Sequence, residues 1–138
     1  MILVDTSVWI DFFRGTGSHR VLHRLIEEEE SLCLTGIHLT EILQGIKENR
    51  VHEQIQRHLL TFPIFLTSGV ETYLHASDIF RTCRRRGKTI RKTVDCIIAA
   101  IAIENNLVLL HNDRDFDHIA KCTRLKIYGS LNQKNKLE

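Results

Sequence analysis

The stretch Thr93–Phe116, TVDCIIAAIAIENNLVLLHNDRDF, decides the fold and points toward the chemistry. Between Thr93 and Asn106 it reads as a helix in which Ile97, Ile98, Ala99, Ala100, Ile101, Ala102 and Ile103 leave almost no polar face, so the helix is buried on most sides. Thr93 offers a cap at its start. Leu107–Leu110 follows as a short aliphatic strand. Carboxylates stand at the edges of these elements: Asp95 in the first helical turn, Asp113 and Asp115 just past the strand. A carboxylate at the rim of an apolar element is costly unless something positive binds there. The stretch reads as half of a metal site whose other half lies near the N-terminus.

Outward from it, the same alternation repeats. Ile2–Val4 is a strand that ends at Asp5, with Thr6 and Ser7 offering a cap for a helix over Val8–Phe13. Arg20–Glu30 has helical spacing and a solvated acidic end, Glu27–Glu30. Ser31–Leu34 is a strand, Thr35-Gly36 a turn, and Ile37–Ile46 a helix with Leu39, Ile42, Leu43 and Ile46 inward and Glu41 on a neighbouring stripe. Val51–Leu60 is a surface helix, and Ile64–Leu66 after Pro63 is a third strand. Gly69–Arg86 is a long helix with a core stripe of Val70, Tyr73, Leu74, Ser77, Phe80 and Cys83. Leu125–Tyr128 completes a fifth strand. Short apolar strands alternating with helices predict an α/β fold in three layers, a mainly parallel central sheet of four to five strands flanked by helices. One domain over residues 1–130 and a polar tail over 131–138 are expected.

The bulk properties exclude more than they assign. A net charge of +2 is too small to prove a nucleic-acid partner. None of Cys33, Cys83, Cys96 and Cys122 forms a C-x-x-C pair, and the chain does not need staples, so reduced and mostly buried thiols are expected. The opening MILVDTS meets an acid at once, unlike a secretory signal, and the longest apolar run, Cys96–Ile103, has eight residues, far short of a membrane span. The expectation is a cytoplasmic protein without membrane contact.

The acidic residues form a pattern. Asp5 ends strand one, Glu41 lies in the helix after strand two, Asp95 opens the buried helix, and Asp113 and Asp115 follow strand four. Ligands of parallel sheets bind outside the carboxyl ends of the strands; Asp5, Glu41 and the Asp113/Asp115 pair lie at or after such ends, and Asp95 could point there from its helix N-terminus. Each also has a plain structural role available: Asp95 suits a helix dipole, Asp113 or Asp115 a helix cap, Glu41 a solvated surface. Together they would repel one another and take up protons unless a hard divalent cation such as Mg²⁺ or Mn²⁺ sat among them. No His/Cys set has zinc spacing. Asp113–His118 opens like a calcium loop but has His118 where glycine is required. Asp5-Thr6-Ser7 is not the D-x-D of an aspartyl phosphatase, the acidic pair of a phospho-receiver is missing, and neither G-x-x-x-x-G-K-[ST] nor G-x-S-x-G occurs.

Leu3-Val4-Asp5-Thr6-Ser7, Thr40-Glu41-Ile42-Leu43-Gln44-Gly45, Val94-Asp95-Cys96-Ile97-Ile98-Ala99-Ala100 and Asn112-Asp113-Arg114-Asp115-Phe116, in that order, resemble the motifs of PIN domains, and more narrowly those of the VapC toxins of bacterial toxin–antitoxin pairs. The resemblance runs from the first residues to about Tyr128. It implies a PIN-like fold and a Mg²⁺- or Mn²⁺-dependent endoribonuclease, with Asp5, Glu41, Asp95 and Asp113 as the acidic quartet, Asp115 as an additional acid and Ser7 as a polar residue beside the metal. It also implies a cognate antitoxin and a homodimer. An RNA-processing nuclease without a toxin role, and a non-catalytic RNA- or protein-binding module on the same fold, are the alternatives. The resemblance leaves open whether Asp113 or Asp115 completes the quartet.

The basic segment Arg84–Lys92 has two readings: a solvated helix end, or a phosphate-guiding rim in which Arg85, Arg86, Lys88 and Arg91 contact RNA. His111 is expected to face solvent. Trp9, Phe12 and Phe13 fit the core, a groove for a partner helix, or a dimer contact.

Overall fold

The computed structural model describes residues 1–129; the expected polar tail at 131–138 lies outside them. In chain order the elements are β1 (Ile2–Val4), α1 (Thr6–Arg14), α2 (His19–Glu27), β2 (Leu32–Thr35), α3 (Gly36–Gln44), α4 (Asn49–Leu59), β3 (Ile64–Phe65), α5 (Val70–Arg85), α6 (Thr93–Glu104), β4 (Val108–Leu110), α7 (Arg114–Cys122) and β5 (Lys126–Ile127). The strands form one sheet in the order β3-β2-β1-β4-β5, and every pairing is parallel. The three-layer α/β expectation holds.

Strand alternation divides the core. Leu3 of β1, Cys33 of β2 and Leu109 of β4 face a cluster shared with α5, α6 and α7, while Ile2 and Val4, Leu32 and Leu34, and Leu110 face the opposite cluster, built on Val8, Trp9, Leu22, Leu25 and Leu59. This is the period-two geometry of a strand buried on both sides. Helix α6 buries Cys96, Ile98, Ala99, Ala100, Ile101 and Ala102 in addition to Asp95. Truncating Ile98 or Ile101, each 1% exposed, costs about 2–5 kcal/mol, so the helix that carries Asp95 is firmly held.

Local expectations fail in three places, each for a physical reason. The stripe expected inward on α5 points outward at its start: Val70, Tyr73 and Leu74 are exposed, and Thr72, Ala76, Ile79 and Cys83 are buried. Small residues face α6 because the two helices pack closely, and Thr72 finds its partner across that seam, donating to Glu104 Oε2 at 2.9 Å. Thr93 and Thr6 do not cap their helices; Lys92 and Asp5 hold those cap positions without a side-chain cap bond. Thr35 is more than a turn residue, because its hydroxyl accepts the His38 N–H and caps α3.

The thiols behave as expected. All four cysteines are free, with Cys33, Cys83 and Cys96 buried. Burial pushes Cys33 and Cys96 up to about 12 and Cys83 to about 11, which keeps them protonated and unreactive.

Candidate metal centre

The order β3-β2-β1-β4-β5 reverses direction at β1 and β4, because the chain builds outward from β1 on one side and then returns to β4 on the other. Loops leaving the carboxyl ends of two such strands diverge and leave a crevice. Here the Asp5 N–H donates to Leu110 O at 2.9 Å, which ties the two strand ends together at the floor of the crevice. The cavity above has a volume of about 480 Å³ and is lined by Asp5, Thr6, Ser7, Ile10, Glu41, Arg91, Lys92, Asp95, Asn112, Asp113 and Arg114. Asp5, Glu41, Asp95, Asp113 and Ser7, singled out from sequence, therefore meet in one place. Asp115 stands close behind: carboxylate oxygens of Asp95, Asp113 and Asp115 lie within 4.8 Å of one another.

Each acid is delivered by a different device. Asp5 ends β1, and its Oδ1 lies 2.8 Å from Nε2 of the wholly buried His38. Glu41 on α3 accepts the Thr6 hydroxyl at 2.9 Å. Asp95, 6% exposed, sits in the first turn of α6, where the helix dipole favours a negative charge. Asp113 is the N-cap of α7, accepting the Asp115 N–H at 3.0 Å. The capping role and a place in the cluster are thus compatible at Asp113. Its own N–H donates to His111 Nδ1 at 2.9 Å, and His111 Nε2 stands 3.2 Å from Asp117. His111 is buried, contrary to the expectation of a solvent-facing loop residue, because its ring packs at a tilt against Phe116, 5.2 Å between centroids, and its Nδ1 accepts the Asp113 N–H.

Arg91 spans the outer acids. Its Nη2 donates to Asp113 Oδ1 at 3.0 Å, and its Nε and backbone N–H both donate to Asp115 Oδ2 at 3.1 Å. Burial alone would raise the Asp115 carboxyl, but the Arg91 backbone and guanidinium outweigh it and hold Asp115 below the ordinary carboxylate range. The same bonds raise Arg91. Asp95 has no hydrogen-bonded guanidinium. Burial first, then the Asp5 and Asp113 carboxylates, push it up to about 7, and the charge of nearby Lys92 pulls it down only in part. Its Oδ2 is buried without a hydrogen-bond partner, as is the Ser7 Oγ. A buried carboxylate oxygen with no donor, among other carboxylates, is what a hard cation would satisfy. The residues present fit a divalent ion with oxygen ligands.

The basic segment is divided by the fold. Arg91 and Lys92, joined by Arg114, line the cavity, whereas Arg85, Arg86 and Lys88 do not. Arg86 instead donates to Lys121 O at 3.3 Å. Trp9 is fully buried, while Phe13 lines an apolar groove with Ile10, Ile42, Ile46, Val51 and Ile55. Sequence reading missed His38, the bond from Thr6 to Glu41, and the tether in which Asn112 Nδ2 donates to Ser18 Oγ at 2.9 Å while Ser18 donates to Asp11. Only His38 had a signal, a Thr35-x-x-His38 spacing that imitates a capping box with histidine in place of glutamate.

The PIN domain family model matches residues 2–121. Ribonuclease VapC11 of Mycobacterium tuberculosis (strain ATCC 25618 / H37Rv) is 36% identical over 129 residues, covering 91% of this chain and 96% of the relative. Ribonuclease VapC1 of Methanocaldococcus jannaschii is 32% identical over 92% of this chain and 86% of the relative. Among solved structures, VapBC-1 from nontypeable Haemophilus influenzae superposes with a TM-score of 0.73 at 19% identity, covering 96% of this chain and 99% of that one. A toxin–antitoxin complex from Klebsiella pneumoniae gives 0.63 at 25% identity, over 84% and 90%. The chain therefore belongs to the PIN-domain family, in the branch of the VapC ribonucleases.

Proposed function

We propose that this chain is the toxin of a toxin–antitoxin pair, an endoribonuclease that hydrolyses RNA phosphodiester bonds with the help of Mg²⁺ or Mn²⁺. The observation that carries the reading is the unpartnered Asp95 Oδ2 within a largely buried cluster of carboxylates. The VapC ribonucleases it resembles over most of its length supply RNA as the substrate class.

Asp5 and Asp95 would hold the ion directly, with Glu41, Asp113 and Asp115 completing its surroundings. When bound, the ion supplies an activated water and neutralises charge on the phosphodiester under attack. The chain's own residues do the rest. Glu41, half-buried and held by Thr6, is placed to accept a proton from water in the cavity. Ser7 lends a hydroxyl at the cavity wall. Arg91, Lys92 and Arg114 offer positive charge at the rim, where a phosphate backbone would lie.

Its partner is an antitoxin. The groove of Ile10, Phe13, Ile42, Ile46, Val51 and Ile55 shares Ile10 with the acidic cavity. An amphipathic segment lying in it would carry a basic side chain to the carboxylates and block them. Two copies of the chain pair through the outward stripe of α5, where Val70, Tyr73 and Leu74 expose apolar surface at helical spacing. Leu74→Asp should shift the protein to monomer in sedimentation. Among the described residues no helix is long and apolar enough to cross a membrane, and we place the activity in the cytoplasm.

The deciding experiment incubates the purified chain with structured RNA and Mg²⁺ or Mn²⁺, alone, with chelator, and as Asp95→Asn. Cleavage lost in both controls supports the reading. RNA left intact under all conditions would leave a binding module. Cleavage without growth arrest on induction would leave RNA processing without a toxin role.

A further inference from the structure

His38 touches the acid cluster from behind and is accounted for neither by the acidic quartet nor by the basic rim. It is wholly buried on α3, three residues before Glu41. Its Nδ1 accepts the Thr35 N–H at 3.1 Å and lies 3.0 Å from Thr35 Oγ1, and its own backbone N–H donates to that oxygen at 3.2 Å. A backbone N–H can only donate, so Nδ1 must present a lone pair and the ring proton resides on Nε2. Nε2–H therefore donates to Asp5 Oδ1 at 2.8 Å. The Asp5 backbone is fixed independently by the bond from its N–H to Leu110 O. What His38 adds is the orientation of the side chain, with one oxygen held from the protein side while the residue lines the cavity.

We propose that His38 is a positioning residue for the cation: a donor of fixed tautomer, set by the cap of α3, that holds the Asp5 carboxylate in its ligating orientation. The proposal rests on the reading of Asp5 as a metal ligand. The capping bonds and the ligand bond use opposite nitrogens of one ring, so the helix start and the metal side chain are aligned by a single residue. Hydrogen-bond partners of ligating carboxylates set metal affinity, and their loss typically weakens it about 10- to 100-fold.

The test measures Mn²⁺ affinity of the full chain by electron paramagnetic resonance for the parent, His38→Leu, His38→Gln and Asp5→Asn, with circular dichroism melts to establish folding. His38→Leu is expected to bind Mn²⁺ about 10- to 100-fold more weakly, with the KM for RNA at saturating Mn²⁺ unchanged. His38→Gln, whose amide N–H reaches toward Asp5, should stay within about fivefold of the parent. Long-range ¹⁵N–¹H spectra of the apo parent should show His38 protonated at Nε2 with Nδ1 unprotonated. A folded His38→Leu with parental Mn²⁺ affinity overturns the proposal, as does a proton on Nδ1. If the leucine variant does not fold, a folded His38→Gln that binds Mn²⁺ as poorly as Asp5→Asn overturns it instead. Asp5→Asn with parental affinity refutes the metal role of Asp5 itself, a failure distinct from that of His38.

Discussion

The two sides of the acidic cavity are built on opposite electrostatic principles. On the inner side, Asp5 and Asp95 rise from β1 and α6 and are served by a histidine donor, a helix start and the nearby charge of Lys92; Asp95 Oδ2 has no hydrogen-bond partner. On the outer side, Asp113 and Asp115 are already bound by the exposed guanidinium of Arg91. The inner side holds acids that the protein compensates only in part, by the charge of Lys92 and the donor on His38, and the outer side holds negative charge that the protein neutralises itself. A cation gains most where compensation is least complete, so the inner pair should dominate metal binding and the outer pair should link the metal site to the basic rim.

The largest effect expected is on the inner side. Asp5→Asn or Asp95→Asn should lower metal-dependent RNA cleavage at least ~100-fold while the melt of the metal-free protein remains cooperative; near-parental rates in either variant would remove the basis for the comparison. Next comes the pH dependence of the metal-free fold. Asp95 is raised from an ordinary 3.8 to about 7, so the folded state binds its proton more tightly than the unfolded state does. The contribution of Asp95 to stability should be full below about pH 4, fall as pH rises to about 7, and remain low above it, the loss being on the order of a few kcal/mol, while the lowered Asp115 contributes in the opposite sense at the acid end. Denaturation in chelator across that range checks the sign. Asp95→Asn should flatten the curve, and Mn²⁺ should restore stability at the alkaline end.

Smaller effects belong to the outer side. Arg91→Ala should weaken RNA binding several-fold and reduce the salt slope by about one phosphate contact, yet tighten Mn²⁺ binding, because Asp113 and Asp115 then lack their cation. Weaker Mn²⁺ binding in that variant would show that the outer side needs its guanidinium in order to bind metal. The smallest effect is expected for Arg85→Glu with Lys88→Glu, since neither residue lines the cavity. A change in RNA affinity beyond about threefold there would extend the rim past Arg91.

Much of this was legible before the structure. The alternation of strands and helices follows from hydrophobic period alone; Asp5, Glu41 and Asp113 could be placed because residues after parallel strands share one edge, and Asp95 because it opens a buried helix whose start can point to that edge. The α5 stripe was misread because periodicity finds an apolar face without saying whether that face meets the core or another molecule. His111 was misread because a loop position says nothing about a ring packed on Phe116. His38 carried only a weak local signal, since its second partner, Asp5, is 33 residues away.

By itself the sequence determined the architecture and which acids lie near one edge of the sheet, because both rest on local patterns of polarity and chain geometry. Only the tertiary structure decided which acid is compensated and by what. Arg91 reaches Asp113 and Asp115 across 22 and 24 residues, and His38 reaches Asp5 across the gap between neighbouring strand ends. Electrostatic compensation depends on distances of a few ångströms between groups far apart in the chain, and those distances exist only once the sheet has brought its strand ends together.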